Sequence, residues 1–371
     1  MLRGQVAKID LDAMAGNLEK IKSLRRGGRA VKGGGVIAVV KADAYGHGAV
    51  LVSKKLQKEG VTCLAVAYAS EAQTLREGGV KGPVLLLFDE DPRPSFELGL
   101  TPVVHSLESS RRFSRETGKQ GSPIGVHVKV DTGMGRMGLF GDDPAKQIFE
   151  IASLPGIRVE GLMSHFSEIG PGNLEFARLQ LEKFNALRTE LAAKGLRPFA
   201  HISSSAGALL LPEAHLDALR VGLILYGAYP FEGGTKVKTK TGLKPVMDIK
   251  TSIILLKKLR KGQPVSYDRT FVTARDSVIA VAPVGYADGY FRAFSNKGFA
   301  MIRGKRAAVA GRVCMDLTMF DVTGIKGVSE GDDVVLLGGG ITGGELAGII
   351  GTNTYEIMTS LGGHARRSFT V

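Results

Sequence analysis

The chain has 371 residues, 44% of them hydrophobic and 23% charged, with 50 glycines; this composition excludes a disordered or low-complexity protein and suits one large core plus a smaller second domain. The formal charge of +13 would attract acidic small molecules or nucleic acid, but the cations are scattered apart from residues 24–35 and 254–263 and show no aromatic interleaving or zinc-ligand spacing, so nucleic-acid binding is not expected. Cys63 and Cys314 each stand alone in apolar surroundings, no run reaches the about 18 apolar residues of a membrane span, and charges break up the N-terminal segment where a secretory signal would be apolar; a cytoplasmic protein with no membrane partner is expected.

From residue 36 to about residue 225 one pattern recurs: a short apolar run, a polar or Gly-rich turn, and a helical stretch. The runs begin at "VIAVV" (36), "CLAVA" (63), "PVLLLF" (83), "TPVVHS" (101), "IGVHVKV" (124), "IRVEGLM" (157), "PFAHIS" (198) and "LDALRVG" (216). Helical periods lie between them, as in 70–79 and 176–195, each closing on glycine. Strands alternating with helices imply parallel pairing, and eight such units suit a closed (β/α)8 TIM-like barrel. From about residue 235 apolar residues alternate with period two and turns fall at Gly, Asp and Pro, predicting a mostly β C-terminal domain. The expected division is 1–235 and 236–371, with a linker at 228–240, where Pro, paired Gly and alternating charge break every period. Gly338-x-Gly340-x-x-Gly343 imitates a dinucleotide fingerprint, but no second β-α-β unit follows, and Thr342 with Glu345 predicts a capping box at a short helix.

In an eight-stranded barrel the residues just after each strand share one mouth. Here they are Lys41, Lys129, Asp131, Arg136, His165, Ser204, Ser205, Arg220, Gly222 and Leu223. That set is rich in cations and hydroxyls, so its expected guest is anionic. A lysine ending the first run is a simple snorkelling residue when taken alone. Together with a phosphate cradle after strands seven and eight and an arginine at the mouth, it meets the needs of pyridoxal 5'-phosphate (PLP): an anion site, an imine-forming amine and a partner for the ring nitrogen.

The segments "AVVKADAYGHGA", "VKVDTGMGRMG", "LMSHFS", "ALRVGLILYG", "PVSYDRTF", "PVGYADGY", "GRVCMDLTMFD" and "GTNTYEI" together resemble the alanine racemases in order and spacing, from about residue 5 to the C-terminus. The resemblance implies a PLP barrel with a β domain, acting on alanine as a homodimer whose second domain completes the partner's site. By position it makes Lys41 the PLP lysine and one base, and Tyr267 the opposite base, delivered from the other subunit. It places Arg220 at the pyridine nitrogen with His165 linking it toward Tyr267, and Tyr45, Ser205, Gly222, Leu223 and Tyr355 around the phosphate. Arg136 and the backbone of Met315 would receive the substrate carboxylate, Lys129 would carry a carbamate, and Tyr286 and Tyr355, with Arg292 and Arg312 farther out, would narrow the entrance. Two departures stand out: Ser204 where the family usually has asparagine, and Leu317 where it commonly has glutamine.

The implied roles agree with the chemistry. Racemisation removes a proton from one face of a planar carbanion and returns one to the other, so two acid/base groups must flank the plane. A guanidinium does not surrender its proton to a pyridine, which leaves the ring a weaker electron sink and suppresses transamination. Competing readings are a racemase of broader range acting on serine, a PLP decarboxylase, for which Tyr267 is superfluous, and a PLP-binding barrel without turnover, for which the β domain is.

Overall fold

A computed structural model describes residues 4–25, 35–231 and 235–370. The basic stretch 24–35 and the middle of the 228–240 linker therefore lie largely outside the described residues.

Nine strands lead into the site: β1 Val6–Asp10, β2 Gly35–Val39, β3 Cys63–Val66, β4 Val84–Leu86, β5 Thr101–Val104, β6 Ile124–Lys129, β7 Ile157–Met163, β8 Phe199–His201 and β9 Ala218–Val221. Strands β2 to β9 correspond to the eight apolar runs. They form one parallel sheet, β2 through β8 in chain order, with β9 returning beside β2. The circle closes between β8 and β9 through Asp217 N–H to the Ala200 carbonyl at 3.1 Å and Arg220 N–H to the Ser203 carbonyl at 3.0 Å. Near-continuous Val, Ile, Leu and Ala suit strands covered on both faces: Val36 to Val40, Leu64 to Val66 and Leu219 are all buried.

The helices end where glycine allows it. The helix Ala69–Glu77 is followed by Gly79 at φ +78°, and Glu175–Ala193 by Gly195 at φ +88°, left-handed positions where a Cβ is unwelcome.

The second domain is a nine-stranded sheet in the order 255–259, 277–282, 318–321, 305–309, 299–302, 333–337, 247–252, β1 and 366–370. The expected division at 235 misplaces β1. Val6–Asp10 pairs antiparallel with Met247–Ser252 and parallel with Arg366–Thr370, so the chain begins in the β domain and then enters the barrel. Local pattern cannot foretell this, because both partners lie more than two hundred residues away. The linker also differs from expectation in containing a helix, Thr235–Thr241, followed by Gly242 at φ +56°.

The Gly338 segment is the turn expected of it, with a bridge from Gly338 to Ile341 leading into the helix Gly343–Ile350. Thr342 accepts the Glu345 N–H at 3.1 Å. The other half of the capping box yields to an ion pair, since the Glu345 carboxylate lies 2.7 Å from Arg306.

Candidate active site

The β2 strand delivers Lys41 to the carboxyl end of the barrel, where the backbone takes an uncommon course. Ala42, Asp43, Ala44 and Tyr45 have φ of 50°, 53°, 54° and 55°, one left-handed turn built without glycine, at a steric cost of about 1–2 kcal/mol per residue. The turn aims Lys41 and Tyr45 into a cavity of about 440 Å3. Lys129, Arg136, His165, Ser204, Ser205, Arg220, Gly222 and Tyr355 line the same cavity, so most of the barrel-mouth residues expected from sequence meet in one place.

Two amines share this space. Lys41 Nζ lies 5.4 Å and Lys129 Nζ 5.6 Å from the ring centroid of Phe88, which favours cations over its face. Phe88 was not anticipated as a site residue, although its position at the end of the third apolar run carried the signal. Burial, and then the charge of Arg136, lower the Lys41 amine below the usual lysine range. Lys129 is nearly inaccessible; burial, followed by Arg136 and Arg220, brings it down to about 8. Both ammonium groups thus become easier to deprotonate.

Arg136 reaches the mouth on a loop organised by Asp131, whose carboxylate accepts the N–H groups of Gly133 at 2.8 Å, Met134 at 2.7 Å and Arg136 at 3.1 Å.

Arg220 is buried at 5% exposure and held by hydrogen bonds from both terminal nitrogens. It donates to His201 Nδ1 at 2.6 Å, to His165 Nδ1 at 2.9 Å and to the Ser164 carbonyl at 2.8 Å. An arginine can only donate, so each imidazole carries its proton on Nε2. His201 Nε2–H in turn donates to His127 Nδ1 at 2.9 Å. Burial first, then Arg136, pushes Arg220 down to about 10, which still leaves it a cation at neutral pH.

The other wall is lined by hydroxyls and glycine backbone. Ser204 and Ser205 open the helix Ser205–Leu210, and Ser205 Oγ accepts the Gly222 N–H at 3.3 Å. A Cβ on Gly222 would come within 2.5 Å of Tyr45 Oη, so glycine here lets the phenol approach the backbone. Leu223 is fully buried and does not line the cavity. Tyr45 and Tyr355 pack with ring centroids 5.8 Å apart. Burial raises both phenols, Tyr355 to about 12, so both stay protonated at neutral pH.

The remaining expected residues lie elsewhere. Tyr267, Tyr286, Arg292, Arg312 and Met315 are absent from the cavity lining and gather on the β domain. Tyr286 and Ala287 N–H groups bond to the carbonyls of Cys314 and Met315, each at 3.0 Å. Ser266 Oγ donates to the Arg312 carbonyl at 2.6 Å, and Arg312 pairs with Asp268 at 2.6 Å. Tyr267 is 66% and Met315 54% exposed, a high exposure for such large apolar groups.

Two family models match the chain in succession: the alanine racemase N-terminal domain over residues 9–230 and the alanine racemase C-terminal domain over residues 246–369. The chain belongs to the alanine racemase family. It is 44% identical over 373 residues to the alanine racemase of Thermodesulfovibrio yellowstonii, covering 100% of this chain and 98% of that one. It is 39% identical to that of Clostridium tetani, covering 96% and 92%. The alanine racemase structure from Clostridium difficile 630 superposes with a TM-score of 0.92 at 32% identity, covering 100% of this chain and 96% of that one. The Bacillus anthracis enzyme, solved with bound L-Ala-P, gives 0.90 at 29% identity over the same shares. The chain is thus an enzyme of an amino-acid racemase family, with the barrel and β domain expected of it.

The buried histidines also predict an acid sensitivity. His47, His127, His165 and His201 are all held below the ordinary imidazole range, chiefly by burial, His47 to about 3 and His127 to about 4. Below about pH 6.5 the unfolded chain binds protons that the folded chain refuses, so stability falls as pH drops from there toward the folded values. The thermal midpoint should decline by several degrees between pH 7 and 5 and recover on return. A flat profile across that interval would contradict the burial of neutral imidazoles.

Proposed function

We propose that this enzyme interconverts L- and D-alanine with pyridoxal 5'-phosphate, as a cytoplasmic homodimer that supplies D-alanine for peptidoglycan. The observation that carries this reading is the division of the expected residues into two clusters. Lys41 stands in the barrel cavity with an anion cradle and a buried arginine, while Tyr267 and Met315 stand exposed on the β domain. A second copy that docks its β domain over the mouth would unite them, which is the isologous arrangement common among dimers.

The residues present fit the cofactor. The Ser204, Ser205 and Gly222 corner with Tyr45 and Tyr355 suits its phosphate, the Lys41 amine its aldehyde carbon, and Arg220 its ring nitrogen. Bound PLP supplies the electron sink that acidifies the substrate α-carbon. The chain's residues do the rest. Arg136 and the Met315 backbone N–H of the second chain hold the substrate carboxylate and fix the α-carbon between the bases. Lys41 exchanges a proton on one face; Tyr267 of the second chain exchanges it on the other. His165 Nε2–H is the donor available to Tyr267, while Nδ1 stays bound to Arg220. The lowered pKa of Lys129 favours carbamate formation: the neutral amine adds CO2 and releases a proton, and the anion formed would pair with Arg136. The cavity walls, with Tyr355 from one chain and Tyr286 from the other, and Arg292 and Arg312 farther out, leave room for a methyl group and crowd longer side chains.

Purified protein with PLP and L-alanine should generate D-alanine, detected as pyruvate after D-amino-acid oxidase is added. L-serine should react more weakly and L-lysine hardly at all, because a steric wall rejects by far more than the 10–200-fold of one methylene. Comparable kcat/KM for lysine and alanine would replace the narrow site with a broad-specificity racemase. No D-alanine at all would refute the activity.

A further inference from the structure

The turn bearing Lys41 occupies a conformation its own residues disfavour, so its stability has to come from outside it. Two anchors reach it. From the barrel, Glu71 accepts the Ala42 N–H at 2.6 Å, together with the Ala67 N–H at 2.6 Å and the Tyr68 N–H at 3.2 Å. From the β domain comes Arg367, on the last strand of the chain. It pairs with Asp43 Oδ2 at 2.6 Å and donates to the Gly46 carbonyl at 2.8 Å and the Gly362 carbonyl at 3.1 Å. The other Asp43 oxygen accepts the Ala49 N–H at 2.6 Å.

A single guanidinium thus spans the turn and the end of the helix Thr354–His364, whose Tyr355 and Thr359 line the same cavity. Turn and helix also touch directly, since a Cβ on Gly46 would meet the Met358 carbonyl at 2.7 Å. An isolated half-exposed ion pair contributes little. A planar fork with five donors, holding a carboxylate and two carbonyls at once, is a different device.

We propose that Arg367 is a positioning residue: by clamping Asp43 and Gly46 against the Tyr355 helix, it holds the left-handed turn and sets the spacing between Lys41 and Tyr355 across the cavity. It touches neither substrate nor cofactor, and its catalytic consequence rests on the reading of Lys41 as the PLP lysine. The clamp requires both domains of one chain, so it ties the barrel mouth to the sheet in which Val6–Asp10 pairs with Arg366–Thr370.

Arg367→Gln, Asp43→Asn and the double variant in the full-length chain provide the test, with PLP affinity by absorbance titration and amide hydrogen exchange by mass spectrometry as readouts. Arg367→Gln should weaken PLP binding by about ten-fold or more, the scale of a lost charged hydrogen-bond cluster. It should also speed exchange at Ala44, Gly46 and Gly48, while the amides pairing Val6–Asp10 with Met247–Ser252 stay protected. Asp43→Asn, nearly isosteric, should show the same local loosening, and adding it to Arg367→Gln should cost little more. The clamp is refuted if Arg367→Gln keeps PLP affinity within about two-fold and leaves exchange at 44–48 unchanged, if protection is lost equally in the sheet, or if the two effects add in full. Should the unaltered chain bind no PLP, the proposed function fails, whereas exchange at the turn still decides whether the clamp exists.

Discussion

Replacing Lys41 with alanine is expected to abolish racemisation and the visible absorbance of lysine-bound PLP while leaving the fold intact. Lys41 extends from the end of β2 into the cavity and is only partly buried, so its removal leaves no large void in the core. Among the described residues the one other amine lining the cavity is Lys129, and it is nearly inaccessible beneath the Phe88 ring. It is poorly placed to take over a covalent link. Loss of nucleophile and base together should reduce kcat/KM by at least about 10^4-fold. Activity near that of the unaltered protein, with PLP still fixed covalently to the chain by borohydride reduction, would show that another amine serves.

Tyr267→Phe should retain PLP and dimerise, yet lose most racemisation, since it removes one hydroxyl from a side chain that is already exposed in the single chain. The loss should be unequal by face. With Lys41 intact, exchange of the D-alanine α-proton with deuterated solvent should persist while exchange from L-alanine falls by about 10^2–10^4-fold, the range for one positioned general base. Equal losses from both enantiomers would contradict the assignment of one base to each face.

Much of this was legible in the residues. The eight apolar runs correspond to the eight barrel strands because parallel strands covered on both faces are mostly apolar. Residues just after them meet at one mouth because strands in a barrel share a direction. Other features were hidden for definable reasons. Ala42 to Tyr45 carry no local sign of left-handed backbone: alanine is a helix former of the opposite hand, and the contacts that Glu71 and Arg367 make with the turn come from far along the chain. Those contacts join residues nearly thirty and over three hundred positions apart. The partnership of His201 with Arg220 and His127 depends on which strand faces are opposed inside the barrel, and "PFAHIS" alone does not disclose it. The placement of β1 has the same origin, since five residues of ordinary alternation pair with strands far along the chain.

The division of labour between the two clusters is most directly tested by mixing. Lys41→Ala and Tyr267→Phe chains, each inactive as a homodimer, are dissociated, reassembled at equal ratio, and the heterodimers isolated by differential tags. If each site draws Lys41 from one chain and Tyr267 from the other, a heterodimer has one intact site and one lacking both bases, and should show about half the activity of the unaltered dimer. Heterodimers of verified composition that remain as inactive as their parents would place Lys41 and Tyr267 in the site of a single chain and overturn the account.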